Sequence, residues 1–451
     1  MPTSNPTTVL PPPPADANLR QGALDVARRL REAGYTAYWA GGCVRDMLLG
    51  REPRDYDIAT DAVPDAVLAC FPGGCSVGKN FAVVIVPWKS LAFEVATFRQ
   101  DHGTEDGRHP AAISFSTPTE DAARRDFTVN AMFYDPIDGS VHDYVGGRTD
   151  LEARLIRCVG EPDRRFAEDH LRLLRAVRFA TTLDFVIEPA TAAAIRCNAP
   201  SIARISIERV RDEFTRTLLE ARLPGQALRL LDDLGLLEIF LPEVSALKHQ
   251  DQPPEFHPEG DVFTHTAMML DAMQDRSAVL AYAVLLHDIA KPATAFHDGQ
   301  RLRFHGHAEH GARMAEGILR RLRLPNRVIE EVTACVGRHM RFMDVQKMRR
   351  STLRQLVGSP TFETELELHR LDCIACHGLM ENHDYLCQAR DAFASEPVLP
   401  PPWVNGRDLI DLGIPPGPRI GTLLKTAYEL QLEGTLPDRE SLLAHIRARL
   451  A

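Results

Sequence analysis

No stretch of this chain approaches the roughly 18–20 consecutive apolar residues that a membrane-spanning helix needs. The first residues, MPTSNPTTVLPPPP, have no basic start followed by an apolar run, so no secretory signal is expected. Cysteine is scarce. There are nine in 451 residues, an odd count that fits reduced thiols in a cytoplasm better than a disulfide framework. A basic excess is also missing. Lys and Arg number 52 against 62 Asp and Glu, a formal charge of −10. No bulk attraction to nucleic acid follows, although local basic surfaces remain open. No internal repeat is evident. With 44% hydrophobic and 25% charged residues, the composition is that of an ordinary soluble globular protein. At roughly 150 residues per domain, the length suggests about three domains.

Residues 1–18 are Pro-rich and aperiodic and read as a disordered leader. A helix is expected over about 18–33, stopped by Gly34. From there to about Tyr144, the short apolar runs YTAYWA, YDIAT, FAVVIV and LAFEVATF read as strands. Residues 151–245 have few Gly and many Arg. RFAEDHLRLLRAVRFA and SIERVRDEFTRTLL read there as amphipathic helices. A loop with Pro253, Pro254 and Pro258 follows. The next region, from Val262 to about Ala394, is again helical and holds more than half of the 17 His. EPVLPPPW (396–403) reads as a linker to a last helical piece. Charge is uneven. Residues 301–350 carry 12 Arg and Lys against 5 Asp and Glu, and residues 151–230 carry 14 against 11. A solvated helix face accounts for such runs as well as a binding surface does.

The stretch WAGGCVRDMLLGREPRDYDIAT (39–60) concentrates the chemistry. A strand ends in Gly41-Gly42, a helix begins near Val44-Arg45-Asp46, and a second strand is expected to carry Asp55 and Asp57. Side chains at i and i+2 on a strand share a face. Two carboxylates side by side repel unless a cation lies between them, and Mg²⁺ suits such a pair together with substrate phosphates. Gly-Gly lets backbone approach a phosphate, and a helix N-terminus favours that anion. These parts point to metal-assisted phosphoryl or nucleotidyl transfer. Glu94, on LAFEVATF, is a candidate third carboxylate; an edge-strand Glu facing water is the competing reading.

This stretch resembles the head of class II tRNA nucleotidyltransferases, the CCA-adding enzymes and bacterial poly(A) polymerases. Further pieces match in order. RQDHGTEDGRHP (99–110) resembles the family's flexible loop and RRDFTVNAM (124–132) its ribose- and phosphate-contacting motif. DYVGGRTDL (143–151) resembles the hinge into the neck, EDHLRLLRAVRFA (168–180) the base-reading helix, and ISIERVRDEF (205–214) the helix after it. One departure is His170, where the family commonly has Pro. The resemblance implies that Asp55 and Asp57 are catalytic Mg²⁺ ligands. It implies that Gly42 and Arg45 cradle the triphosphate, and that Arg125, Asp126 and Asn130 contact phosphate and ribose.

The spacing in EDHLRLLRAVR carries its own argument. Asp169 and Arg172, at i and i+3, are expected on one helix face, continued by Arg175 and Arg178. A carboxylate accepts from an exocyclic amine and a guanidinium donates to ring acceptors. Cytosine and adenine carry that amine and uracil does not, so an Asp/Arg pair can read C and A. Arg175 and Arg178 are left for triphosphate or template side chains.

The C-terminal half holds a second set of ligand-type residues: His265, the pair His287-Asp288, His307, His339 and Asp372. Imidazoles and carboxylates on a helical bundle suit a borderline divalent metal with an open position for water. The order resembles the HD-domain phosphohydrolases. A degenerate helical domain without hydrolysis is the competing reading, and His305 and His310 flank His307 as rival ligands. The expected metals are Ni²⁺, Mn²⁺ or Co²⁺ on His265, His287, Asp288 and Asp372, with His307 and His339 completing a second position or holding substrate phosphate. Cys373-x-x-Cys376-His377 raises zinc or haem as readings, but it lacks a partner Cys pair and reads as packed helix cysteines. VNGRDLIDLGIPPGPRIGTLL (404–424) resembles the tail of HD-bearing family members.

The expected fold is α+β: an N-terminal nucleotidyltransferase head with a small mixed sheet, then an elongated all-α neck, an HD body and a tail. The expected divisions are a leader at 1–18, a head at 19–150, a neck at 151–250, an HD metal domain at 251–395 and a linker with helical tail at 396–451. The expected activity is template-independent addition of C and A to tRNA 3′ ends from CTP and ATP, with a second hydrolytic activity at the HD site. The partners are tRNA and the two nucleotides. No membrane or obligate protein partner is expected, and the setting is cytoplasmic. A-only addition or poly(A) synthesis is the rival within the class, although the mixed charge of residues 403–451 favours tRNA. An HD phosphohydrolase with a nucleotide-sensing head is the rival outside it.

Overall fold

The structure is a computed structural model that describes residues 17–77, 82–104, 110–253, 260–395 and 397–450. The leader read over 1–18 therefore lies almost wholly outside the described residues, as does the tip of the loop at 99–110. The chain forms two compact units, 1–242 and 243–451.

In the first unit, α1 (Ala17–Glu32) precedes β1 (Ala37–Ala40), α2 (Gly42–Leu48), β2 (Asp57–Thr60), α3 (Pro64–Cys70), β3 (Cys75–Val77), β4 (Val83–Trp88) and β5 (Leu91–Thr97). A separate hairpin follows, β6 (Arg99–Thr104) and β7 (Pro110–Phe115), then α4 (Pro118–Arg124), β8 (Phe133–Tyr134) and β9 (Val141–His142). Seven strands form one mixed sheet in the order β3-β4-β5-β2-β1-β8-β9. β2 runs parallel to β5 and antiparallel to β1. Burial alternates along β5, with Phe93, Val95 and Thr97 inward and Glu94 outward, as a half-covered strand requires. Ala40, Ala59, Phe98, Phe133 and Val159 pack beneath the sheet.

Helices take over after the sheet: α5 (Gly147–Glu152), α6 (Pro162–Glu168), α7 (Arg172–Leu183), α8 (Pro189–Asn198), α9 (Ile207–Glu220) and α10 (Pro224–Asp233). The Asp143 carboxylate accepts from the backbone N–H groups of Val145, Gly146, Gly147 and Arg148 and so caps the start of α5. Gly147 is obligatory there, because a Cβ would stand 2.3 Å from the Thr128 carbonyl oxygen.

The single helix expected over RFAEDHLRLLRAVRFA is two. The break falls at Asp169, whose backbone is extended (φ −148°, ψ 104°). The ring of His170 turns back to the Phe166 carbonyl, 2.8 Å from its Nδ1, satisfying a helix-end carbonyl that would otherwise be orphaned.

The second unit is helical apart from the short hairpin Ala295–His297 and Leu302–Phe304. Apolar clusters in it include one around Phe342, Phe362 and Leu386 and one around Leu409 and Leu442. The segment read as a linker is pinned. Arg354 donates to the carbonyls of Pro397 and Val398, and Tyr428 and Gln431 to those of Pro400 and Pro401. Among the described residues, no helix is long and apolar enough to cross a membrane.

Candidate functional sites

A cavity of about 1440 Å³ opens in the first unit. Its walls include all twelve residues singled out there from sequence: Asp55, Asp57, Glu94, Gly42, Arg45, Arg125, Asp126, Asn130, Asp169, Arg172, Arg175 and Arg178. One wall is acidic. Asp57 opens β2 and pairs with Ala40, the residue before Gly41-Gly42. Gly41 takes φ +76°, where an L side chain is strained. Asp55 lies in the loop just before β2 rather than on the strand as expected. The buried Tyr56 between them still turns both carboxylates to the open side. β5 is interior to the sheet, so Glu94 is not an edge residue. It lies one step before the Ile58–Val95 pair, level with Asp57. Burial, then the charges of Asp55 and Glu94, push the Asp57 carboxyl up to about 6, against the pull of Arg125. The three carboxylates line one cavity, a lining that suits a divalent cation brought in with substrate phosphates, although they do not form a group with all ligand atoms within 4.8 Å of one another.

Another part of the lining is basic and cross-linked. Arg45 donates to Asn130 Oδ1 at 2.7 Å, and Asn130 Nδ2 lies 3.4 Å from Asp126 Oδ1. Asp126 Oδ2 accepts from Arg175 at 2.7 and 2.9 Å. Burial would raise the Asp126 carboxyl, but Arg175 and Arg172 outweigh it and bring it to about 2. This network ties α2 to α7 through the turn at 126–130.

The expected placement of Asp169 and Arg172 on one face of a single helix is not what forms. Asp169 lies before α7 and pairs with Arg209 of α9 at 3.1 and 3.2 Å. Arg172 pairs with Glu168 at 3.0 Å and donates to the Arg124 carbonyl. Arg178 donates to Glu213 at 2.6 Å, so it and Arg175 are held by protein carboxylates. Sequence reasoning missed Arg209, Arg216 and Phe179, which also line the cavity. The Phe179 ring lies under Arg45, Arg175 and Arg178 at 5.5, 5.1 and 4.3 Å. The signal was present: Arg209, Glu213, Arg216 and Glu220 recur at helical spacing on α9.

In the second unit, the six expected HD residues gather into groups suited to a metal ion: His265 with His287 and Asp288, Asp288 with His307 and His339, and Asp372 with His265 and Cys376. The helices Val262–Ala272 and Ala278–Leu286 bring His265 and, at the end of the second, His287; His307 opens Gly306-capped helix His307–Arg321. His287, His307 and His339 each place Nδ1 2.7–2.8 Å from the carbonyl three residues back. Nδ1 must therefore donate, which leaves each Nε2 as a lone pair. The Nε2 atoms of His307 and His339 face each other at 3.1 Å, and that of His287 faces Asp288 Oδ2 at 3.1 Å. Acceptors meeting acceptors in a buried cluster fit a cation between them. Burial, then the neighbouring imidazoles, hold the His339 ring down to about 4. His305 and His310 do not belong to these groups.

Lys291 was not anticipated. It is buried, 2.6 Å from Asp288 Oδ2, and the three-residue step from Asp288 was its sequence signal. Cys376, read as a packed cysteine, instead groups with His265 and Asp372.

Carboxylates and arginines lining one cavity, joined in one chain to a His-Asp cluster, define a nucleotidyltransferase carrying an HD domain. Family models agree: a poly A polymerase head domain matches residues 37–157, a probable RNA and SrmB-binding site of polymerase A matches 184–248, and an HD domain matches 261–375. The CCA-adding enzyme of Geobacillus stearothermophilus is 34% identical over 426 residues, 93% of this chain and 94% of that protein. That of Bacillus subtilis is 45% identical over 217 residues, 48% of this chain and 54% of that protein. The crystal structure of the Bacillus stearothermophilus CCA-adding enzyme in complex with CTP superposes with a TM-score of 0.72 at 30% identity, covering 96% of this chain and 99% of that one. The chain belongs to the family of CCA-adding enzymes, nucleotidyltransferases that use divalent metal ions.

Proposed function

We propose that this chain adds C and A residues to tRNA 3′ ends from CTP and ATP, in the cytoplasm and without a nucleic-acid template. The observation that carries the reading is one cavity lined both by Asp55, Asp57 and Glu94 and by Arg45, Arg125, Asp169 and Arg172. In the proposed reaction the RNA 3′ oxygen attacks the α-phosphorus and pyrophosphate leaves. Asp55 and Asp57, with Glu94, would hold Mg²⁺, which when bound offsets phosphate charge and favours the deprotonated 3′ oxygen.

Gly42 and Arg45 receive the triphosphate where α2 begins. Arg125 and Asn130 contact phosphate and ribose, while Asp126 fixes Arg175 and through it the position of α7. Asp169 accepts from the exocyclic amine that C and A share. Arg209 and the Leu171 N–H occupy part of its carboxylate, and the remaining lone pair points the choice toward an amine. Arg172 donates to a ring acceptor. Catalysis is then mainly positioning and charge neutralisation. The test is incubation with tRNAs ending at the discriminator, at -C and at -CC, with labelled CTP or ATP. CCA addition extends all three to the same end, whereas A-only addition uses the -CC substrate alone and poly(A) synthesis runs past it.

A second activity is favoured by the facing Nε2 atoms of the HD cluster. His265, His287, Asp288 and Asp372 would hold Ni²⁺, Mn²⁺ or Co²⁺, with His307 and His339 at a second position, and the metal when bound would supply an activated water for hydrolysis. A phosphomonoester or 2′,3′-cyclic phosphate on an RNA 3′ end is the proposed substrate class. Its removal would expose the hydroxyl that nucleotide addition needs. Turnover assays across these metals, lost in Asp288→Ala, test it.

A further inference from the structure

The helix Phe362–Ala375 delivers Asp372 to the HD cluster and ends at Cys376. The Cys376 N–H turns back to the carbonyls of Asp372 and Cys373 at 3.1 and 3.3 Å. That turn sets Sγ 3.4 Å from Asp372 Oδ1 and 3.7 Å from His265 Nδ1. Asp372 Oδ1 is in turn 3.1 Å from His265 Nε2. A nitrogen, an oxygen and a sulfur donor thus stand within 4.8 Å of one another. His265 is wholly buried and belongs also to the group with His287 and Asp288. The buried His287 Nε2, which has no hydrogen-bond donor facing it, completes the same lining. The sulfur therefore borders the donor set rather than a separate patch.

We propose that Cys376 is a sulfur ligand of the HD centre, which makes that centre selective for a thiophilic divalent ion such as Zn²⁺ or Co²⁺ over Mg²⁺. The proposal rests on the reading of the HD cluster as a metal site. Mg²⁺ takes oxygen donors almost exclusively, whereas thiolate favours the softer, later ions. The Cys376 S–H loses its proton as the sulfur–metal bond forms, and one proton is released to solvent for each ion bound through sulfur. The competing role for the thiol is a weak S–H donor that orients Asp372 without touching the ion.

The test uses the full-length chain stripped with chelator and titrated with cobalt chloride. The expected spectrum has visible ligand-field bands together with a near-ultraviolet thiolate-to-cobalt charge-transfer band. Zn²⁺ should abolish both, and excess Mg²⁺ neither. Cys376→Ser should keep the ligand-field bands, lose the charge-transfer band and bind Zn²⁺ at least about tenfold more weakly. Cys373→Ser should leave the spectrum unchanged. Ligand-field bands without charge transfer in the wild type would overturn the sulfur ligand and leave the metal centre standing. Absence of any bound cobalt would overturn both. Persistence of the charge-transfer band in Cys376→Ser would assign it to another thiol and overturn the proposal.

A measurement on the wild type guards against a variant that fails to fold. Iodoacetamide labelling of Cys376, followed by peptide mass spectrometry, should slow at least about tenfold when Zn²⁺ is present. Equal rates with and without Zn²⁺ would overturn the proposal.

Discussion

Replacing Asp57 by Asn should make the metal-free protein more stable and the enzyme inactive. The carboxyl is raised from 3.8 to about 6 by burial and by Asp55 and Glu94. A shift of about two units corresponds to about 3 kcal/mol. Asp57 is open to solvent on the cavity side, so screening reduces that to about 1–2 kcal/mol. The folded pKa lies above the unfolded one, so the folded state binds more protons between about pH 4 and pH 6. The charge therefore costs nothing below about pH 4, and its full cost is present above about pH 6.

In EDTA at pH 8, Asp57→Asn should melt higher than wild type by about 2–8 °C in the transition of the first unit. The advantage should disappear as the pH falls towards 4. Mg²⁺ should reverse the order, because it stabilises the form that binds it more tightly. Nucleotide incorporation by the variant should fall on the order of 10³-fold or more. A variant no more stable than wild type in EDTA at pH 8, or one that incorporates nucleotide at near wild-type rate, would refute the reasoning.

Asp169→Ala and Arg209→Ala should each relax discrimination of C and A against U and G by about 10²-fold, read from single-nucleotide incorporation with each of the four triphosphates. Because the two side chains share an ion pair at 3.1 Å, the double variant should be little worse than either single one; full additivity would argue against their acting as a unit. Asp126→Asn should cost about 2–3 kcal/mol at pH 7, since the carboxyl is held near 2 by Arg175 and Arg172 against its burial. Here the folded pKa is depressed, so the deficit should hold above about pH 4 and narrow as pH falls towards 2; a pH-independent deficit in urea denaturation would refute the charge argument. Asp288→Ala should lose a bound transition metal, read by elemental analysis, and any HD turnover, while nucleotide addition, which relies on Asp55 and Asp57, continues unchanged.

What the sequence determined by itself was the inventory and its grouping. Strand period around YDIAT and LAFEVATF, the Gly41-Gly42 turn and the i, i+2 carboxylates are local features. Local backbone preference is enough to turn Asp55 and Asp57 to one side, even though the strand starts only at Asp57. The HD residues were legible from their order along the chain, which resembles that of the HD-domain phosphohydrolases. What only the tertiary structure decided was pairing. Helical periodicity put Asp169 and Arg172 on one face, but Asp169 takes an extended conformation and Arg209, forty residues on, becomes its partner. Arg175 and Arg178 looked available for substrate until Asp126 and Glu213 were brought against them. Lys291 reaches Asp288 by a three-residue step along the chain, but only packing brings Cys376 against His265. A charge or a thiol finds its partner through space, where burial strengthens each attraction and makes an unpaired group costly. Spacing along the chain records neither.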